Sequence, residues 1–233
     1  MLKNIKDKSY WGEDVKGVIY RFETNGMQVA LTLDACGSEG DGYDNRIIDF
    51  VVENNIPAMI FVTPKWIKKN GDRFEFLKNN DLFSIQNHGW RHVPASVNAK
   101  KVYGMHGTFG VWDLKREIKR AESYISKRTH QKPRFYRSGA AYYDESSIKF
   151  IKSLDYQIMG FDVLGDAGTT YTAKQAESSI IKRTHPGSII IAHMNHPERE
   201  SGEGVVAGLT HLLKNGYEFI RLDGSSVSLI SHS

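Results

Sequence analysis

The chain has a single cysteine, no long hydrophobic run and no low-complexity segment. Because Cys36 has no second cysteine to pair with, an intrachain disulfide is excluded. No apolar stretch reaches about 18 residues, and the N-terminal segment lacks a signal-peptide core, so we predict neither a transmembrane segment nor a signal peptide. The compartment stays open: extracellular, periplasmic or cell-envelope if a leader has been removed, and cytoplasmic otherwise.

Charge of one sign is not concentrated anywhere in the sequence. Lysine and arginine number 31 against 27 aspartates and glutamates, a net charge of +4 that is spread along the chain. This balance permits an anionic polymer as partner and does not predict nucleic-acid binding. The 233 residues are 40% hydrophobic and can bury one substantial core. We therefore expect a single domain over residues 1–233, with 1–27 as an N-terminal extension and the oligomeric state left open.

Short apolar segments alternate with helical patterns along the chain. The strand-like segments lie at 29–33, 58–62, 82–86, 134–136, 157–161, 188–192 and 217–221. Apolar spacing of three and four residues predicts helices at 44–54, 65–79, 111–128, 144–154, 173–183 and 203–215. This repetition of strand and helix is typical of a parallel sheet or an α/β barrel.

Five of the strand-like segments are followed by residues that can bind a metal or move a proton. These residues are Asp34, His88 with His92, Arg137, Asp162 and His193. Because the C-terminal ends of parallel strands meet at one face of a barrel, we expect their side chains to converge. A single His-x-x-x-His pair is weak, and a lone aspartate after a strand can simply cap a helix. The joint pattern predicts a catalytic or formerly catalytic site.

The two imidazoles of this set are suited to a metal ion. His88 and His92 can hold a zinc-like divalent ion that keeps a position for water and lowers the pKa of that water. Asp34 is a candidate third ligand. Cys36, two residues later, is either a soft metal ligand or a small buried residue behind the site, and the sequence favours the second interpretation.

The remaining members of the set are candidate catalytic residues. Asp34 is suited to act as a general base, and His193 can protonate a leaving amine. We predict that Arg137 pairs with Asp162, so that the guanidinium fixes the base and tunes its pKa. A purely structural salt bridge between these two residues is the alternative.

In order along the chain, these segments resemble the motifs of the polysaccharide deacetylase family of carbohydrate esterases (family 4), whose homology domain is named after the nodulation chitooligosaccharide deacetylase. VALTLDACG resembles the first motif, with Asp34 at the position of the catalytic base. NHGWRH matches the second motif, with His88 and His92 as metal ligands and Gly89 in place of a hydroxyl residue.

The other three motifs lie later in the chain. FYRSGAAYYD resembles the third motif through Arg137, and FDVLGDAG is similar to the Asp-rich fourth motif, with Asp162 as the partner of Arg137. IIIAHMNHP matches the fifth motif and makes His193 the acid. The resemblance covers residues 28–222. It implies a distorted (β/α)7 TIM-like barrel and hydrolysis of the N-acetyl group of a sugar polymer or oligomer, whether peptidoglycan-like, chitin-like or an exopolysaccharide.

The sequence departs from the family pattern at two places. Ala35 stands where the family has its metal-binding aspartate, and Gly139-Ala140 replaces Pro-Tyr. Three repairs of the metal site are conceivable: Asp34 ligates the metal, water completes the shell, or a loop carboxylate folds in, from Asp41, Asp44 or Asp166. We favour a divalent ion, zinc by preference, held by the two histidines with Asp34 nearby.

The resemblance also predicts a carbohydrate-binding cleft. Two loops, 36–44 and 92–110, follow predicted catalytic strand ends and would form its rim. Aromatic residues near the rim are candidates to stack on a sugar ring: Trp90, Tyr103, Trp112, Tyr142 and Tyr143. Two further interpretations remain open, a hydrolase of a small non-sugar amide and a catalytically impaired carbohydrate-binding protein.

Overall fold

A computed structural model describes residues 10–233, so the first part of the predicted N-terminal extension lies outside the described residues. The helices are α1 (Asn45–Glu53), α2 (Pro64–Lys69), α3 (Gly71–Lys78), α4 (Gly110–Thr129), α5 (Glu145–Ser153), α6 (Ala173–Arg183) and α7 (Ser201–Lys214), with a short 3-10 turn at Gly139–Ala141. No helix among the described residues is both long and apolar enough to cross a membrane.

The strands are numbered in chain order. They are β1 (Trp11–Gly12), β2 (Ile19–Phe22), β3 (Gln28–Ala35), β4 (Ala58–Val62), β5 (Phe83–Asn87), β6 (Lys101–Val102), β7 (Met105–His106), β8 (Phe135–Tyr136), β9 (Tyr143–Asp144), β10 (Gln157–Ile158), β11 (Val163–Leu164), β12 (Ile189–His193), β13 (Glu218–Phe219) and β14 (Leu229–Ser231). Each of the seven predicted strand segments overlaps at least one of these strands.

Seven parallel strands form the central sheet in the order β10-β8-β5-β4-β3-β12-β11, and β13 pairs with the beginning of β3. Strand β2 contacts both sides of this sheet through isolated bridges, from Ile19 to Met159 just after β10 and from Arg21 to Ser188 just before β12. This curled sheet with its helices confirms the predicted distorted (β/α)7 barrel. Asp34 and His193 lie at the C-terminal ends of β3 and β12, and Arg137 directly follows β8.

The alternation of side chains along β3 determines which residues face the barrel interior. Leu31, Leu33 and Ala35 are buried in a cluster with apolar side chains of the surrounding helices. Ala30 packs in a different cluster, inside the barrel. Since successive side chains of a strand point to opposite faces, Asp34 faces the interior with Ala30. The strand thus buries both faces, as expected of a central parallel strand.

The helices follow the predicted segments closely, with one break. The segment predicted as one helix over 65–79 is two helices, separated at Asn70, the residue that ends α2 and precedes α3. Side-chain caps begin several helices, including Asp144 for α5 and Thr172 for α6, where a capping box is complete. On α4 the predicted apolar stripe is buried except for Val111, which is exposed.

Candidate metal and catalytic site

The predicted site residues at the C-terminal ends of β3, β5, β8 and β12 converge at one end of the sheet. Asp34 and His193 are direct neighbours in the register of β3 and β12, while His88 follows β5 and Arg137 follows β8. A cleft of about 550 Å³ opens here. Its lining includes Asp34, Cys36, His92 and His193. Both predicted rim loops contribute to its walls.

Asp34 is held by Arg137. The fully buried guanidinium donates from Nη1 to Asp34 Oδ1 at 2.7 Å, and its other nitrogens donate to Thr32 Oγ1 and to backbone carbonyls. Burial by itself raises the pKa of Asp34, but the positive charges of Arg137 and of neighbouring imidazoles outweigh it and lower that pKa below the usual value. The carboxylate is therefore ionised and able to accept a proton.

The predicted pair of Arg137 with Asp162 is wrong. Asp162 accepts hydrogen bonds from Ser188 Oγ and from the backbone N–H of Ile189, and lies 3.6 Å from the Arg21 guanidinium. These contacts are at the beginning of β12, whereas the site is at its end. Asp162 therefore stabilises the opposite end of the strand, and Arg137 holds the base directly.

Asp166 is the carboxylate that reaches the site, as the partner of His193. It accepts from the backbone N–H of His193 at 2.7 Å and from the ring Nδ1 at 2.8 Å. Burial lowers the pKa of His193, but the Asp166 carboxylate more than compensates and raises it well above the usual value. A protonated imidazole in the cleft is suited to general acid catalysis.

His88, His92 and Cys36 form a compact set of metal-capable atoms. One ligand atom from each lies within 4.8 Å of the others, and the rings of His88 and His92 meet edge to face with centroids 4.6 Å apart. His88 Nδ1 is 2.9 Å from the backbone oxygen of Arg137, a contact that places a proton on Nδ1. In the neutral imidazole, Nε2 then presents a lone pair toward Cys36 Sγ at 3.7 Å and Asp34 Oδ2 at 3.4 Å.

This arrangement fits a bound cation. A nitrogen lone pair, a carboxylate oxygen and a sulfur face one another in a buried site, and such groups repel unless a proton or a metal lies between them. Burial raises the pKa of the Cys36 thiol, but the nearby imidazoles of His92, His193 and His88 outweigh it and lower that pKa well below its usual range. Imidazole and thiolate donors are typical of a zinc site.

The three loop carboxylates considered as replacement ligands are engaged elsewhere. Asp41 accepts from the backbone N–H groups of Gly37 and Ser38, Asp44 caps α1 and pairs with Arg46, and Asp166 holds His193. Ala35 lies in the apolar cluster on the helix side of β3. None of these four residues therefore places an available carboxylate beside the two imidazoles.

The loop that carries the histidines is held in an unusual backbone conformation. His92 has φ of 61°, in the left-handed region, and Gly89 has φ of 82°. A Cβ at Gly89 would lie 2.7 Å from Oε1 of Glu117, a buried residue of α4 that accepts from the backbone of Arg91. This explains the glycine where the family has a hydroxyl residue. Strained residues of this kind cluster at functional sites.

Gly139→Ala is expected to displace His92. The added Cβ would lie 2.6 Å from the carbonyl carbon of His92 and 2.9 Å from the nitrogen of Val93, where only backbone movement gives relief. Overpacking of this kind costs about 1–3 kcal/mol, so unfolding free energy and metal affinity should both fall. Denaturant unfolding and metal titration measure the two effects.

Gly71→Ala, with open space around its Cβ, is the control and should retain wild-type metal affinity. Wild-type unfolding free energy and metal affinity in Gly139→Ala would contradict the assignment of His92 as a metal ligand held against Gly139.

The candidate aromatic residues divide between the cleft and other surfaces. Tyr103 lines the cleft, is 75% exposed and meets the edge of Tyr142 at a centroid distance of 5.8 Å. Tyr143 is fully buried. Trp90 and Trp112 line a separate groove along α4. Among the five candidates, Tyr103 therefore lines the cleft, with Tyr142 beside it.

Comparison with known proteins identifies the family. The sequence profile described as polysaccharide deacetylase matches residues 22–159, more than half of the chain. A similar protein from Geobacillus stearothermophilus, an uncharacterized 30.6 kDa protein in the fumA 3′ region, is 23% identical over 217 residues, which cover 89% of this chain and 74% of that protein.

Solved structures share the fold. A pseudoenzyme of carbohydrate esterase family 4 from Bacillus anthracis has a TM-score of 0.70 at 21% identity, over 88% of this chain and 67% of that one. A family 4 carbohydrate esterase of Bacillus subtilis gives 0.70 at 24% identity, over 89% and 83% of the two chains. A peptidoglycan N-acetylglucosamine deacetylase gives 0.73 at 20% identity, over 89% and 91%. With the profile match, the chain belongs to the polysaccharide deacetylase family, and it is a hydrolase acting on non-peptide C–N bonds.

Proposed function

We propose that this protein is a metal-dependent hydrolase that removes acetyl groups from an N-acetylated sugar polymer or oligomer. The observation that carries the proposal is a cleft lined by Asp34 and His193, on adjacent strands, and by His92, whose ring packs against that of His88. A base, an acid and a pair of metal donors in one cleft are what amide hydrolysis by water requires. The exposed ring of Tyr103 offers a surface for a sugar.

Each residue has a distinct role in this proposal. Asp34 accepts the proton of the attacking water, and Arg137 positions its carboxylate and keeps it ionised. His193 donates a proton to the nitrogen of the leaving amine, and Asp166 orients its ring and keeps it protonated. A divalent ion at His88 and His92, zinc by its donor chemistry, supplies Lewis-acid polarisation of the amide carbonyl and of water when bound.

Acetate release tests the proposed function. Wild-type protein, loaded with zinc and mixed with N-acetylglucosamine oligomers, should release acetate and an equal amount of free amine. The matched control, His193→Ala, should bind the oligomer and release little acetate. Oligomer binding by wild type without acetate release would favour the carbohydrate-binding interpretation. Acetate release only from small non-sugar amides would favour the interpretation as a hydrolase of such amides.

Asp166→Asn is expected to lower kcat and to move the alkaline limb of its pH profile to lower pH. The acid works in its protonated form, which is present below the pKa of His193. Removing the Asp166 charge removes the contact that raises this pKa, so the protonated form is lost at a lower pH. A pH profile of kcat measures the shift. An unmoved alkaline limb, with a normal far-ultraviolet spectrum, would show that Asp166 does not set the protonation of His193.

A further inference from the structure

The two imidazoles of the site lack the third protein ligand that the sequence pattern assigns to position 35. The side chain of Ala35 is fully buried in the cluster on the helix side of β3, so the backbone turns this position away from the cleft. The next residue, Cys36, lies beyond the end of the strand, and its side chain lines the cleft. Cys36 therefore supplies a potential metal-binding atom, its sulfur, which the side chain of Ala35 lacks.

We propose that Cys36 is the third protein ligand of the metal, so that this chain holds its ion through one sulfur and two imidazole nitrogens. The proposal rests on the proposed function only for the presence of a metal. The proposed ligand set differs from the family pattern, because the sulfur of Cys36 replaces the carboxylate of the metal-binding aspartate.

The distance between the donors supports shared coordination. With metal–sulfur and metal–nitrogen bonds of about 2.3 and 2.0–2.1 Å, a tetrahedral ion separates its sulfur and nitrogen donors by roughly 3.6 Å. Cys36 Sγ and His88 Nε2 are 3.7 Å apart. One ion can therefore bind both atoms without a change in the fold.

His88 is oriented as a metal ligand. Its ring is buried, and the contact between Nδ1 and the Arg137 carbonyl leaves Nε2 free to bind a cation. Hydrogen bonding of the second ring nitrogen to a backbone carbonyl is the usual support of a metal-bound histidine. Nε2 lies 3.7 Å from Cys36 Sγ and 3.4 Å from Asp34 Oδ2.

The backbone on both sides of Cys36 is fixed. Thr63 Oγ1 donates to the Cys36 carbonyl at 2.8 Å, and the N–H groups of Gly37 and Ser38 donate to the Asp41 carboxylate at 2.5 and 2.6 Å. A Cβ at Gly37 would lie 2.8 Å from the nitrogen of Trp66, so this close turn requires glycine. These contacts fix the backbone that carries the Cys36 side chain before any ion binds, which lowers the cost of binding.

Asp34 is less suited to be the third ligand. Its Oδ1 is engaged by Arg137, and among the described residues the mutually close donor set consists of Cys36, His88 and His92 without it. A thiolate provides the same single negative charge as the carboxylate that it replaces. Because thiolate is a softer donor, the site should favour zinc or cobalt over magnesium or manganese.

The same thiol has a competing role as a nucleophile. His193 and Cys36 line the same cleft, and His193 is held by Asp166, an arrangement that resembles a cysteine–histidine–aspartate triad. A nucleophilic thiol would act without metal, and its alkylation would abolish activity of metal-free protein. A ligand thiol would instead be protected from alkylation by the bound ion.

Cobalt titration of the full chain distinguishes these roles. Wild type should develop the near-ultraviolet charge-transfer absorption of a sulfur–cobalt bond, and Cys36→Ser should lack it and bind cobalt and zinc at least about 10-fold more weakly. Ser38→Ala, two residues along the same loop, is the matched control and should retain the absorption. Equal affinities of wild type and Cys36→Ser, or cobalt bound by wild type without sulfur absorption, would overturn the proposal.

Alkylation supplies the second readout, independent of activity. Cys36 is the chain's single cysteine, so the mass of one added iodoacetamide group reports this thiol alone. Zinc should slow the modification at least about 10-fold if the sulfur is a ligand. Equal rates with and without zinc, or acetate release by chelated wild type that alkylation abolishes, would reject ligation. Sulfur–cobalt absorption in a protein that releases no acetate would support the ligand set and contradict only the proposed function.

Discussion

Arg137→Gln is expected to lower the free energy of unfolding by about 3–5 kcal/mol, because breaking a buried ion pair leaves the other charge without compensation. Arg137 is fully buried and joins Asp34 at 2.7 Å, and it also donates to Thr32 and two backbone carbonyls. Denaturant unfolding of the purified variant measures the loss.

The double variant Asp34→Asn with Arg137→Gln is the matched control. It removes the uncompensated carboxylate together with the guanidinium, so part of the lost stability should return. A loss below about 1 kcal/mol in Arg137→Gln would be the size of an exposed salt bridge and would contradict a structural role for the pair. No recovery in the double variant would assign the cost to the other acceptors of Arg137.

Asp34→Asn is expected to lower kcat/KM by about 100-fold or more while the protein keeps its fold and its metal. The asparagine oxygen can still accept the hydrogen bond from Arg137, but an amide cannot take a proton from water. Steady-state acetate release measures kcat/KM, and elemental analysis of the same sample measures the metal content.

The metal measurement separates two roles for Asp34. If zinc content stays at the wild-type level, Asp34 acts as the base. Loss of zinc in parallel with activity would make Asp34 a ligand, an alternative that the sequence leaves open. Wild-type turnover in Asp34→Asn would remove this residue from the mechanism.

The convergence of the site residues could be predicted from the sequence because it depends only on the direction of the strands. Apolar runs ending near Asp34, His88 and His193 predict parallel strands, and parallel strands bring their C-terminal ends together. In the structure Asp34 pairs in register with His193, and its carboxylate lies 3.4 Å from His88. Local periodicity is sufficient for this inference, since it needs no information about which strands are neighbours.

The partner of His193 could not be predicted in the same way, because it depends on register. Strand β11 pairs in parallel with β12, with Val163 opposite Ile190. This register places Asp162 at the beginning of β12 and Asp166 beside His193 at its end. The sequence signal was the second aspartate of FDVLGDAG, since only that residue follows the strand.

The orientation of Cys36 was also beyond the sequence pattern. The sequence favoured a small residue buried behind the site, but the sulfur lies beside His88. Within β3 successive side chains point to opposite faces of the sheet, and this alternation predicts where the Asp34 and Ala35 side chains point. The alternation no longer applies beyond the end of the strand. After that point the direction depends on the turn that Gly37 and Asp41 form.

The central claim is that a zinc-loaded site at His88 and His92 removes acetyl groups from a sugar. The most direct measurement is acetate release from N-acetylglucosamine oligomers by one preparation of the protein, first chelated and then reloaded with zinc, beside the His88→Ala variant treated identically. Chelated wild type should release little acetate, reloading with zinc should restore the release, and His88→Ala should show no recovery. Equal release before and after chelation, or full activity in His88→Ala, would contradict it.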